Sequence, residues 1–131
     1  MQWRARRSAQ PLGVMSAPPP YRRPPGPPDL EAQIRYAPSS EGGKQRPVAS
    51  GYRPNHNFGL PQGLNDALHE YPGREWVHPG ETVSALLWLL APEMQRKRLH
   101  VGFEFTVQEA LKVVGIGTVT QVFNQDLQRD A

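Results

Sequence analysis

The chain has 131 residues, room for one domain, and its 15 prolines and 12 glycines are too many for a helical bundle, which points to short strands joined by turns. It contains no cysteine, which excludes disulfides and thiolate metal sites and makes a reducing, cytoplasmic setting the default expectation. The net charge of +3 is uneven: residues 1–28 carry five arginines and no acid, whereas the remainder carries ten basic and twelve acidic side chains, unlike the basic surface usual in a nucleic-acid-binding domain.

Residues 1–28 hold eight of the fifteen prolines and few large apolar side chains. That composition predicts a disordered or polyproline-II tail. Within it, Pro18-Pro19-Pro20-Tyr21 fits a proline-rich ligand of WW type, and the stretch from Arg22 to Pro28 fits an Arg-x-x-Pro-x-x-Pro ligand. Such matches arise readily in any proline-rich tail, and a plain linker is the simpler reading. Met15 offers a second start. The first residues lack the apolar run of a secretory signal, and the longest apolar stretch, residues 85–91, is far shorter than the about 20 residues that span a bilayer. No membrane association is expected.

From Leu30 the pattern changes. Leu30, Ala32, Ile34 and Tyr36 alternate with Glu31, Gln33 and Arg35, the period-two signature of a half-buried strand. Residues 38–43 read as a turn ending in Gly42-Gly43, and residues 44–50 as a returning strand, edge-placed or bulged at Pro47, which has no N–H. Gly51-Tyr52-Arg53-Pro54-Asn55 reads as the start of another strand. Residues 59–73 carry turn residues at both ends and no sustained alternation, so a long loop with at most one helical turn at 65–70 is expected.

Residues 74–78 read as a short strand closed by Pro79-Gly80, a pair suited to a type II turn. The nearly continuous apolar run at 82–90, stopped by Pro92, predicts a strand buried on both faces. Leu99, Val101, Phe103 and Phe105 then alternate with His100, Gly102 and Glu104, which predicts a strand over 99–105 followed by a turn at 106–112. Residues 113–123 return as a strand with Gly115 and Gly117 on one face, and the polar end, 125–131, is expected to fray. Five to seven short strands without alternating helices predict an all-β antiparallel barrel or sandwich occupying residues 29–124.

Chemistry-bearing motifs are sparse. There is no phosphate loop, and Val114-Gly115-Ile116-Gly117-Thr118 lacks the third glycine and the helix of a dinucleotide site, so no nucleotide is expected. His56, His69, His78 and His100 are nine or more residues apart, without metal-pair spacing, and read as surface or capping histidines. No serine lies in a nucleophile motif and no carboxylate pair is placed by spacing. No catalytic residue, cofactor or metal ligand is therefore assigned. Tyr52-Arg53 fits either a stacking and phosphate-contacting pair on RNA or a core tyrosine with a rim arginine, and Arg96-Lys97-Arg98 reads as a solvated turn.

These residues, in order and spacing, resemble the C-terminal β-barrel domain, domain 3, of bacterial elongation factor Tu over roughly 30–123. Glu41-Gly42-Gly43-Lys44 is similar to its Glu-Gly-Gly-Arg hairpin, Gly51-Tyr52-Arg53-Pro54 is identical to its Gly-Tyr-Arg-Pro, and His78-Pro79-Gly80-Glu81 resembles its Met-Pro-Gly-Asp. Leu90-Ala91-Pro92 followed by Leu99-His100-Val101 is similar to the strand, proline and Leu-Arg-Phe that precede its final hairpin, and Val114-Gly115-Ile116-Gly117 resembles the Val-Gly-Ala-Gly of its last strand. The resemblance implies a single six-stranded antiparallel barrel, and in that family the barrel helps grip the T stem of aminoacyl-tRNA and packs on partner proteins. It implies Lys44, Tyr52, Arg53, Asn55 and Glu109 as candidate RNA- or partner-binding residues.

The departures from the family lie at that surface. Asn55 stands where the family has a glutamine, Lys44 keeps the charge of an arginine, residues 59–73 replace a threonine-rich loop, Ala91 stands where a lysine is often present, and Glu109-Ala110-Leu111 replaces a Glu-Gly-Gly turn. No counterpart of the family's GTPase domain or middle barrel falls in these residues, so a stand-alone divergent copy of the barrel is expected. The expected function is a non-catalytic binding module with a protein partner; an RNA-binding, translation-related protein that engages tRNA is the alternative.

Overall fold

The computed structural model describes residues 16–130. Six strands, β1 (Leu30–Tyr36), β2 (Asn55–Asn57), β3 (Asn65–Glu70), β4 (Thr82–Leu89), β5 (Glu104–Glu109) and β6 (Lys112–Val122), close into one antiparallel barrel in the order β1-β4-β3-β2-β5-β6. The all-β, six-stranded architecture expected from the sequence is the one observed. No helix among the described residues is long and apolar enough to cross a membrane.

The alternation in β1 explains its role. Leu30, Ala32, Ile34 and Tyr36 are buried inside the barrel, and the strand pairs with β4 on one side and β6 on the other. Two register shifts, between Glu31 and Ala32 against β6 and between Val107 and Gln108 against β6, add residues to one strand of each pair. Such bulges bend and twist strands, which a short barrel needs in order to close. Gly117 faces inward under the Phe105 ring; a Cβ there would lie 2.2 Å from the ring, so the missing side chain is what lets β5 and β6 pair at Phe105 and Gly117. Gly43 is as tightly constrained, since a Cβ would lie 2.0 Å from the Ala37 carbonyl oxygen.

Several expected elements differ. Residues 59–73 are not a long loop, because β3 occupies 65–70 and inserts between β2 and β4. Its inward residues are Asn65, Ala67 and His69, so a polar interior face hid the alternation that apolar residues would have displayed. The expected strands at 44–50 and 74–78 shrink to one reciprocal bridge between Val48 and Val77. The strand expected over 99–105 starts instead at Glu104: Leu99 bridges in parallel to Gln128, and residues 101–102 turn, with Gly102 at φ +92° and Val101 exposed. Residues 106–109, expected in a turn, belong to β5.

The chain ends also differ from expectation. Residues 124–130 do not fray, since Leu127 is buried and its carbonyl accepts from the Leu99 N–H at 2.8 Å, while the Arg129 N–H donates to the Leu99 carbonyl at 2.7 Å. Of the proline-rich tail, residues 1–15 lie outside the described residues. Residues 16–28 have an extended course without strand or helix and lie along the outer face of the barrel. They cover the outer side of β4, where Trp88 is buried and Leu86 half-buried. The run at 82–90 therefore has two covered faces near its end, whereas Thr82 and Ser84 at its start are exposed.

Asp29 fixes the junction between tail and barrel. Its carboxylate accepts from the Leu89 N–H at 2.8 Å and the Asn124 amide at 2.9 Å, and its own N–H donates to the Leu87 carbonyl at 2.8 Å.

Candidate functional site

Gly51 to Pro54 approach β3 as a strand would, although Gly51 sits at φ +103° and Pro54 has no N–H. The Gly51 N–H donates to the His69 carbonyl at 2.9 Å, and the His69 N–H donates to the Tyr52 carbonyl at 2.8 Å. This pairing brings Tyr52 beside Glu109, the last residue of β5. The turn at 38–43 brings Lys44 to the same place.

Three of the five candidate residues converge there. The Lys44 ammonium lies 2.5 Å from Glu109 Oε2, and the Tyr52 hydroxyl donates to the same oxygen at 2.7 Å. Lys44 Nζ also stands 5.4 Å from the centre of the Tyr52 ring, a cation–π contact. Partial burial opposes ionisation of Glu109, yet the hydrogen bonds from Lys44 and Tyr52 and the nearby Lys44 and Lys112 charges outweigh it and hold the carboxyl below the usual range. Burial and the bond to Glu109 push the Tyr52 phenol far up, so it stays a donor.

Asn55 and Arg53 fall outside that triad. The Asn55 amide donates to the Asp66 carboxylate while its Oδ1 accepts from the Ala110 N–H at 3.2 Å, so this side chain ties β2 to both its neighbours. Arg53 is exposed. Lys112, which spacing did not single out, donates to the Gly43 carbonyl at 3.3 Å on the other side of the same hairpin. Between them Ala110 adopts φ +54°, a left-handed conformation costing a non-glycine residue about 1 kcal/mol, and the turn it makes holds Leu111 out at 92% exposure.

A second group of polar side chains fills the barrel, and it overturns the surface reading of two histidines. His56 and His69 are wholly buried, with Nε2 atoms 2.7 Å apart. His56 Nδ1 faces the Asn65 carbonyl at 3.0 Å, and His69 Nδ1 faces the Tyr71 hydroxyl at 3.0 Å and the Tyr36 hydroxyl at 3.3 Å; the two hydroxyls are 2.6 Å apart. The carbonyl only accepts, so the His56 proton sits on Nδ1. Its Nε2 then accepts from His69 Nε2–H, which leaves His69 Nδ1 to accept from a tyrosine hydroxyl. Both rings are neutral in this pattern. Burial accounts for it, lowering His56 to about 4, and burial with the neighbouring ring holds His69 well below its ordinary value as well.

The ring surroundings are aromatic. His56 stacks on Phe58 at 5.9 Å and 16° and tilts against Phe105 at 5.8 Å. One sequence signal was available: His56 and Phe58, like His69 and Tyr71, are spaced two apart, as inward residues of a strand are.

Arg98 also departs from the solvated-turn reading. It donates to the Phe58 carbonyl at 3.1 Å and to Gln95, whose buried amide donates to Asn65, so the basic run is anchored to the polar interior by its last member. Among the described residues no cluster of three or more His, Asp or Glu side chains is arranged to hold a metal ion. None of the known protein-family models searched matches the chain.

Proposed function

We propose that this protein is a non-catalytic binding module, built on a barrel resembling the C-terminal barrel of elongation factor Tu, whose working surface is the β5–β6 hairpin end and whose partner is a protein. The observation that carries this reading is Leu111, an apolar side chain 92% exposed at the tip of that hairpin. A strained turn holds it out beside the Lys44–Glu109–Tyr52 triad, and Arg53, which follows Tyr52 in the chain, is exposed. An apolar tip rimmed by charged and aromatic groups is the anatomy of an interaction surface.

The charges argue against RNA as the first partner. Lys44 is already paired with Glu109, Asn55 is committed to Asp66 and Ala110, and residues 29–131 carry two more acids than bases. The exposed Arg53 guanidinium is the one observation that favours the alternative, tRNA contact.

Two measurements on the full chain decide between them. A photo-crosslinker at position 111 is expected to yield protein adducts that Arg53→Glu diminishes, while tRNA titrated at low salt gives no retention. tRNA binding that weakens steeply with salt and with Arg53→Ala would overturn the protein reading.

A further inference from the structure

We propose that the outer face of the barrel formed by Glu70, Trp76, Trp88 and Gly51 is a receptor for arginine-bearing, proline-rich segments, and that residues 16–28 occupy it in cis. The bonds that hold the arm use neither the β5–β6 hairpin nor Lys44, Tyr52 or Glu109, so the inference stands independently of the reading above.

The arm shows what the face recognises. Seven of its thirteen residues are proline. An extended proline-rich backbone makes no internal hydrogen bonds and leaves its carbonyls available to outside donors. The barrel supplies those donors as indoles: Trp76 Nε1–H donates to the Ser16 carbonyl at 3.1 Å and Trp88 Nε1–H to the Gly26 carbonyl at 3.3 Å. Between the two, Glu70 reads the side chains. Arg23 engages it through Nε at 2.9 Å and Nη2 at 2.5 Å, a two-pronged pair, and the Tyr21 hydroxyl adds a bond at 3.0 Å. The Arg23 guanidinium also lies 5.6 Å from the centre of the Trp88 ring.

The Tyr21 ring packs over Gly51, where its nearest carbon would stand 3.4 Å from a Cβ, an ordinary van der Waals contact. Indole donors for carbonyls, an aromatic seat for a guanidinium and a carboxylate to fix its position together make the recognition mode used for polyproline-II ligands. Arg23, not Arg22, is the residue recognised.

The arm is held so that it can leave without disturbing the barrel. Most of its residues remain exposed, and the arginine side of its ion pair is open to water, with Arg23 57% exposed over a Glu70 that is 13% exposed. Gly26, at φ +82°, turns the arm three residues before the fixed Asp29. Release would bare both indoles and Glu70 together. A partner segment with an arginine or a tyrosine–arginine pair among prolines would make the same bonds, in competition with a tethered arm whose local concentration is on the order of millimolar.

The test uses the full chain and a fluorescent peptide with the sequence of residues 16–28. Weakening the arm by Tyr21→Ala and Arg23→Ala together is expected to raise affinity for the peptide about tenfold or more over the wild-type chain, because the receptor is then free. Adding Glu70→Gln to that variant, with the fold checked by circular dichroism, is expected to abolish the gain, as is an Arg→Ala change in the peptide at the position of Arg23. The proposal fails if the arm-weakened chain does not bind, if it binds no better than wild type, or if binding survives Glu70→Gln. A wild-type dimer that exchanges arms and ignores the peptide would assign the face to a second copy and overturn it as well.

Discussion

Lowering the pH from 7 to 5 should destabilise this barrel chiefly through its interior histidines. His56 and His69 must be neutral in the folded chain, and His56 is lowered from an ordinary 6.5 to about 4 by burial. The unfolded chain therefore binds protons below about pH 6.5 that the folded chain refuses, so stability is complete above that pH and declines as pH falls toward 4. For His56 alone the linkage amounts to about 2 kcal/mol by pH 5 and about 3 kcal/mol by pH 4, and His69, displaced in the same direction, adds to it. Total stabilities of small domains are on the order of 5–15 kcal/mol, so the loss is a large fraction.

Glu70 and Glu109 are held below the usual carboxylate range. Their contributions are retained above the unfolded-state pKa and lost only as pH falls through their lower folded values, which separates them from the histidine window. The assay is urea unfolding followed by tryptophan fluorescence at pH 7.5, 6.0, 5.0 and 4.5, on the wild type and on a His56→Gln/His69→Gln variant. The variant starts less stable, since it breaks the chain of bonds, but its stability should be nearly level across that range. A wild type whose stability is unchanged between pH 7 and pH 5, or a variant with the same slope as wild type, would refute the neutral-pair account.

Two substitutions probe the packing. Gly117→Ala should cost about 1–3 kcal/mol by forcing the Phe105 ring from its place, read as a lower thermal midpoint, and adding Phe105→Leu should recover part of the loss; equal melting of Gly117→Ala and wild type would show that the ring yields freely. Leu127→Ala should cost about 2–5 kcal/mol in urea unfolding, because Leu127 is fully packed and its segment bridges Leu99; a change near zero would mean that the C-terminal segment frays after all.

How much of this could be read from the sequence depended on what each strand points inward. β1, β4 and β6 carry apolar inward residues, and their alternation or apolar length marked them. β3 points Asn65, Ala67 and His69 into the barrel, so its hydropathy looked like that of a loop. The alternation at Leu99, Val101, Phe103 and Phe105 misled for the opposite reason: Leu99 is buried by the C-terminal segment and Val101 lies exposed in a turn, so their period reflects two unrelated environments.

The candidate surface was partly legible. The conjunction of Lys44, Tyr52 and Glu109 depends on pairings across up to 65 residues, which spacing cannot express, and the quoted tetrapeptides carried it only through resemblance. The docked arm could not be read at all from composition, since its anchors, Glu70, Trp76 and Trp88, lie 47 to 62 residues further along the chain.

The buried bond chain from Asn65 through His56 and His69 to the tyrosines also acts as a proofreader of strand register. β2 is only three residues long, and two backbone pairings tie it to β3, so the ladder alone discriminates weakly between alignments. A one-residue slip of β3 would turn His69 outward and bring Asp66, Leu68 and Glu70 into the barrel, stranding His56 beside carboxylates without a partner. An all-hydrocarbon interior would tolerate near misses, whereas in this one a slipped alignment leaves buried polar groups without partners.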